Sequence, residues 1–261
     1  MLRDRVLSAI VLIPIVAGLA YLGGYWWLSG VGLAGALASF ELFRLLKQGE
    51  YNPNTWFGIA WTLALIATGF WPDIFPLGVV IGVGLILTLT LALFRRGARP
   101  ATDWAWTAAG AIYLGVLLSS FVALRMRPDG FAWLALAVLT TWITDSGAYF
   151  VGITVGRRKM APRLSPKKTW EGAIGGWVIG VICGAALGIW LVNLPPVQAI
   201  LLAGVLCLLA PLGDLAESMM KRQVGVKDSS GLIPGHGGVL DRLDSLLFIV
   251  PATYYASLLL G

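Results

Sequence analysis

Apolar residues run through this chain in long blocks, broken by short Gly, Pro and Asn segments rather than by alternating polar positions. Nine blocks stand out, at roughly 6–22, 25–45, 56–71, 74–94, 104–124, 131–155, 172–192, 197–220 and 241–260. Most approach or exceed the roughly 20 residues that a helix needs to cross the hydrocarbon core of a bilayer. Trp and Tyr stand at many block ends (Tyr25, Trp26, Trp27, Trp56, Trp71, Trp104, Trp170), as in interfacial aromatic belts. The pattern predicts an all-α, polytopic integral membrane protein with about nine transmembrane helices. Arg3 and Arg5 precede the first block as the basic start of a signal peptide would. No convincing cleavage site follows, so the block reads as a retained helix.

Composition agrees with this and narrows it. Of 261 residues, 58% are hydrophobic and 12% charged, against about 25% charged in a soluble domain. Mean hydropathy is +0.82. Such a chain is neither disordered nor a soluble globule. Cys183 and Cys207 both lie in apolar blocks and read as small buried hydrophobes, which excludes a disulfide framework.

Charge then sets orientation. With nine helices, seventeen of the 19 Lys and Arg residues fall on the side that holds the N-terminus, and only Arg125 and Arg127 on the other. A wrong helix count would scramble this alternation. The positive-inside rule places the N-terminus in the cytoplasm and the protein in the inner (plasma) membrane as a multi-pass chain. The halves differ in kind. Residues 1–130 read as about five bland transmembrane helices, and residues 131–261 as the transmembrane region that carries the chemistry.

Charges are scarce, so their clustering is informative. Of the 19 basic and 13 acidic residues, seventeen lie within 145–171 and 214–244. Asp145 shares a helix face with Thr141 and Tyr149, which suits either an interhelical hydrogen bond or a ligand site in the bundle. Asp214, Glu217, Ser218 and Lys221 share another face. Two acids one turn apart repel unless they are protonated, share a cation, or pair with Lys221 or Arg222. Ser165-Pro166-Lys167-Lys168-Thr169 reads as a specific turn. It suits a topology signal, an anionic-lipid contact or a phosphate site.

From Lys227 to Ser245 the chain holds Gly231, Pro234, Gly235, His236, Gly237 and Gly238, then Asp241, Arg242 and Asp244 on the first turn of the last helix. Four Gly and a Pro in residues 231–238 preclude a regular helix. Gly-rich loops ahead of a helix suit phosphate, although neither soluble nucleotide-binding Gly pattern occurs. Asp241 and Asp244 also suit plain compensation of the helix dipole. Together, carboxylates, a Gly/His loop and clustered Lys and Arg on the cytoplasmic face suit a reaction between a soluble phosphate compound and a lipid phosphate.

The run Ser218-Met-Met-Lys221-Arg222, then Lys227-Asp228, Pro234-Gly-His236-Gly237-Gly238 and Asp241-Arg242-Leu-Asp244 resembles the signature of the phosphatidate cytidylyltransferase (CDP-diacylglycerol synthase) family. So do Asp145-Ser-Gly-Ala-Tyr149, Gly152, Gly156 and Ser165-Pro166-Lys167-Lys168-Thr169-Trp-Glu171-Gly172, so the detailed resemblance covers about residues 140–250. It implies condensation of CTP with phosphatidic acid to CDP-diacylglycerol and pyrophosphate, with a cytoplasmic active site. It also implies Mg²⁺ on Asp214 and Asp241, with a second cation left open. Asp214, Asp241, Lys221 and His236 would be catalytic. Ser165, Lys167, Lys168, Arg222, Lys227, Arg242, Asp145, Asp244, Gly237 and Gly238 would bind CTP or the lipid phosphate. No nucleic-acid partner is expected, and a homodimer is left open. A CTP-dependent polyprenol kinase or an ether-lipid cytidylyltransferase is the nearest alternative. An ion-coupled transporter would need matching charged, broken helices in both halves.

Overall fold

The computed structural model describes residues 2–95, 98–233, 235 and 237–260, with side chains from Ser8 onward. Among the described residues ten helices follow one another: α1 (Leu2–Leu22), α2 (Gly24–Gln48), α3 (Thr55–Thr68), α4 (Leu77–Phe94), α5 (Pro100–Met126), α6 (Gly130–Val155), α7 (Trp170–Val192), α8 (Pro196–Gln223), α9 (Leu240–Leu243) and α10 (Leu246–Leu260). Six of them (α2, α4, α5, α6, α7 and α8) are long and apolar enough to cross a membrane. Three shorter apolar helices lie at Ser8–Leu22, Thr55–Thr68 and Leu246–Leu260. The protein is therefore an all-α polytopic membrane protein. Its large apolar side chains lie extensively on the outside, as a lipid-facing surface requires.

Two details depart from the expected pattern. The last apolar block breaks at a turn over Asp244 and Ser245, so Asp241 lies in the one-turn α9 and Asp244 lies outside either helix. The Ser165–Thr169 segment is a strand, β2, antiparallel to β1 (Lys159–Ala161). Pro166 is tolerated there because a two-stranded ribbon is all edge.

The described chain packs as two compact units. The first comprises residues up to Met126 together with Gln223–Arg242, and the second Arg127–Arg222 together with residues from Leu243 onward. In the first unit α2, α3 and α5 pack together, and Trp61 and Leu65 of α3 form a core with Ala108 and Ala111 of α5 that Leu77, Val80, Ile81 and Leu85 of α4 cover. Phe43 of α2 is fully buried and its ring fits against Gly58 and Gly110, where any larger residue would collide. Helix α4 lies towards the outside and buries only Gly84 and Thr88. Arg125 caps α1 by donating to the carbonyls of Ala20 and Tyr21. A cation on the side where the sequence has almost none thus meets the partial negative charge of a helix end.

In the second unit α6 and α7 pack closely. Gly172, Gly176, Gly180, Gly184 and Gly188 recur every fourth residue of α7 and all are buried. Gly176 lies against Ala148 and the Thr144 carbonyl, Gly180 against Thr144 and Cys207, and Gly184 against Thr140 and Ala203. Between helices in lipid, such a small-residue stripe gains close van der Waals contact where hydrophobic exclusion gives nothing. Threonine hydroxyls on both units return to their own helices, as Thr62, Thr88, Thr141, Thr144 and Thr253 do to the carbonyl four residues earlier.

Gly180→Leu should destabilise the second unit by about 1–3 kcal/mol, the usual cost of overpacking. Val178→Leu, on an exposed face of the same helix, should not. Thermal unfolding of the two variants in detergent checks this, and equal unfolding temperatures would refute the role given to the stripe.

Candidate active site

In the second unit, a carboxylate and an ammonium from distant parts of the chain meet. Lys168 Nζ of β2 lies 2.6 Å from Asp214 Oδ2 of α8, with both side chains partly exposed. Ser218 donates to the other Asp214 oxygen at 3.2 Å. Asp145, on α6 of the same unit, is exposed. Strand geometry separates the two lysines, because successive side chains of a strand point to opposite faces. Lys168 turns to Asp214, while Lys167 is exposed. One turn along α8, the fully buried Glu217 pairs with the buried Lys221 at 3.1 Å. Here the ion-pair alternative for Glu217 is the one realised. Arg222 donates to the Leu164 carbonyl at 3.2 Å. Ser165 lies in β2, opposite Ala161.

The junction between α6 and the ribbon has its own organiser. Glu171 accepts from the backbone N–H groups of Arg157 (3.0 Å) and Arg158 (3.1 Å). Thr169 caps α7 by accepting from Gly172 N–H. Folding the backbone this way leaves Arg157, Arg158, Lys159, Arg163 and Lys167 exposed as a basic surface.

The first unit holds the second cluster. Loop 224–239 turns back on itself through a bridge between Ile233 and Gly237. Gly235 and Gly237 have φ of 76° and 82°, where a side chain would be strained. Asp241, itself buried, ties the loop down. Its Oδ2 accepts from Ser229 N–H at 2.9 Å, Ser229 Oγ at 2.8 Å and Gly238 N–H at 2.8 Å. A Cβ at Gly237 would meet Asp241, and one at Gly238 would meet Ser229 and Glu41. These glycines therefore have a packing reason for their identity, apart from any phosphate.

Glu41 belongs to this cluster and was not among the expected site residues. It lies in α2, is 2% exposed, and accepts from loop residues about 190 positions away. Its signal was present in the sequence as an acid inside the apolar block 25–45, the same signal that singled out Asp145. Ser229 and Ser230, which share the loop's bonding, carried no comparable signal.

The remaining expected residues divide simply. Lys227 and Arg242 are exposed. Asp244 accepts from Ser245 N–H at 2.6 Å in the turn before α10. His236 and Pro234 lie outside the described residues. Asp214 and Asp241 belong to different units. Among the described residues no three His, Cys, Asp or Glu side chains form a metal-type cluster. The donor chemistry still suits Mg²⁺, which commonly takes one or two protein carboxylates and completes its shell with water and substrate phosphates.

The chain is similar to known proteins over almost its whole length. The model of the cytidylyltransferase family matches residues 3–260. The phosphatidate cytidylyltransferase of Brucella suis biovar 1 (strain 1330) is 37% identical over 265 residues, covering 97% of this chain and 92% of the relative. That of Bacillus subtilis (strain 168) is 31% identical over 260 residues, covering 97% of each. That of Pseudomonas aeruginosa PAO1 is 33% identical over 275 residues, covering 99% of this chain and 97% of the relative. With a match that runs almost end to end over a membrane-helical chain bearing these carboxylate and lysine clusters, the protein belongs to the cytidylyltransferase family.

Proposed function

We propose that this protein is a CTP:phosphatidate cytidylyltransferase that joins CTP and phosphatidate to give CDP-diacylglycerol and pyrophosphate. The observation that carries the reading is the near-full-length match to relatives named phosphatidate cytidylyltransferase. The pairing of Lys168 with Asp214 supports it.

The reaction brings two anions together. An oxygen of the lipid phosphate attacks the α-phosphorus of CTP. The new P–O bond forms as the bond to the α,β-bridging oxygen breaks, and pyrophosphate leaves with that electron pair. A phosphate monoester has its second pKa near 6, so the nucleophile is already ionised at neutral pH and needs no strong base. What the protein must supply is positive charge and alignment. Lys168 neutralises a phosphate oxygen and is held in place by Asp214. The exposed Arg157, Arg158, Lys159, Arg163 and Lys167 draw anionic substrate to the membrane surface, with Lys227 and Arg242 adding to them. Lys221 balances the buried charge of Glu217 one turn beyond Asp214. Asp214 of the second unit and Asp241 of the first are each offered as a carboxylate for Mg²⁺, which would offset triphosphate charge when bound.

The same reading gives nine membrane spans, with the N-terminus and the active site in the cytoplasm of a cell whose inner membrane holds the protein. Its support is the charge asymmetry of the loops.

Purified protein given CTP, phosphatidate and Mg²⁺ should release one pyrophosphate per CDP-lipid formed. Absence of both products from folded protein would overturn the reading. Asp214→Asn and Asp241→Asn should each lower turnover by about 10²-fold or more, in the range seen when a group that stabilises transition-state charge is lost, with membrane insertion unchanged. Near-normal turnover in either variant would remove that residue from the metal site. For orientation, a cysteine introduced by Asp129→Cys should react with an impermeant maleimide added to intact cells, and one introduced by Lys47→Cys only after permeabilisation. The reverse pattern would invert the topology.

A further inference from the structure

The first unit contains a buried carboxylate that the proposed reaction has not used. Glu41 is 2% exposed and its two oxygens accept three hydrogen bonds from the Gly-rich loop and the start of α9, with a fourth donor, Ser229 Oγ, shared with Asp241. Oε1 accepts from Ser230 Oγ at 2.6 Å and Val239 N–H at 3.1 Å. Oε2 accepts from Leu240 N–H at 2.8 Å and lies 3.3 Å from Ser229 Oγ. That serine hydroxyl is closer to Asp241, at 2.8 Å, so one hydroxyl stands between the two carboxylates. A buried ionised acid is costly unless donors surround it, and here Ser229, Ser230, Val239 and Leu240 supply them. Gly238 completes the fit, because a side chain there would collide with both Glu41 and Ser229. The base of the clamp is firm. Two residues on, Phe43 is locked against Gly58 and Gly110, and Ser39 of the same helix donates to Thr62 of α3 at 3.1 Å.

We infer that Glu41 is a positioning residue for nucleotide binding: through Ser229, Ser230 and the Val239 and Leu240 amides it holds the Gly-rich loop and Asp241 in the arrangement that receives the CTP phosphates. The inference rests on the cytidylyltransferase reading for its ligand. The clamp itself does not depend on that reading. Removing a supporting residue that orients a first contact commonly costs 10- to 100-fold in affinity or activity. The loss should appear at the nucleotide rather than at the lipid.

Glu41→Gln keeps the shape but replaces one acceptor oxygen with a donor. In the full-length protein in nanodiscs it should raise the KM for CTP by about 10-fold or more while the KM for phosphatidate stays within about twofold. Hydrogen exchange of the Val239 and Leu240 amides should quicken, with the amides of α3 and α5 unchanged. Glu41→Asp should restore part of the CTP affinity, and it carries the same two measurements should Glu41→Gln not fold. A merely structural role would lower folded yield and unfolding temperature without separating the two KM values. A variant with wild-type KM for CTP, or with unchanged exchange at Val239 and Leu240, overturns the inference. The exchange measurement needs no turnover, so it remains decisive for the clamp even if no CDP-lipid forms.

Discussion

A carboxylate inside an apolar helix bundle must be met by a cation or by hydrogen-bond donors, and this demand organises the polar parts of the fold. Glu217 is met by Lys221, Asp214 by Lys168 and Ser218, Asp241 by Ser229 and Gly238, and Glu41 by the loop that precedes α9. Each solution ties together segments far apart in the chain or adjacent turns of one helix. An acid that would be a liability in lipid thus becomes a fixed point around which irregular backbone can be held. The loop after α8 needs this, since its described residues form only turns, bends and one isolated bridge before α9.

The apolar scaffold answers a different constraint. Between helices in a membrane there is no water to expel, so association depends on close contact. The five buried glycines of α7 supply it in the second unit, and the sockets at Gly58 and Gly110 for Phe43 supply it in the first. The number of glycines in the chain, 33, has a packing reason as well as a loop reason.

Much of this was legible in the linear pattern. The apolar blocks matched helices because a membrane span is set by length and hydropathy alone, which are local properties. The break at Asp244–Ser245 was not visible, because one turn of helix before a two-residue turn leaves the apolar spacing intact. The β-ribbon was read as a turn for a similar reason: its three- and five-residue strands carry charges rather than apolar alternation. Asp145, Asp214 and Asp241 were found as charges where charge is rare. Glu41 carried the same mark but stood in a half with no other clustered polar residues. Its partner loop lies about 190 residues away, and a contact at that separation leaves no trace in spacing. The glycine stripe, in turn, was hidden in plain composition because its period of four reads as part of an apolar run.

The chemistry assigned to these clusters is cytidylyl transfer, in which the α-phosphorus of CTP moves to the lipid and the β- and γ-phosphates leave together. Following CTP labelled at the α-phosphorus and, separately, at the γ-phosphorus tests this most directly, using the purified full-length protein with phosphatidate and Mg²⁺. The account predicts that the α-label enters the lipid and the γ-label appears only in pyrophosphate. A γ-label recovered in lipid, with the α-label left in CDP, would mean phosphoryl transfer and contradict it.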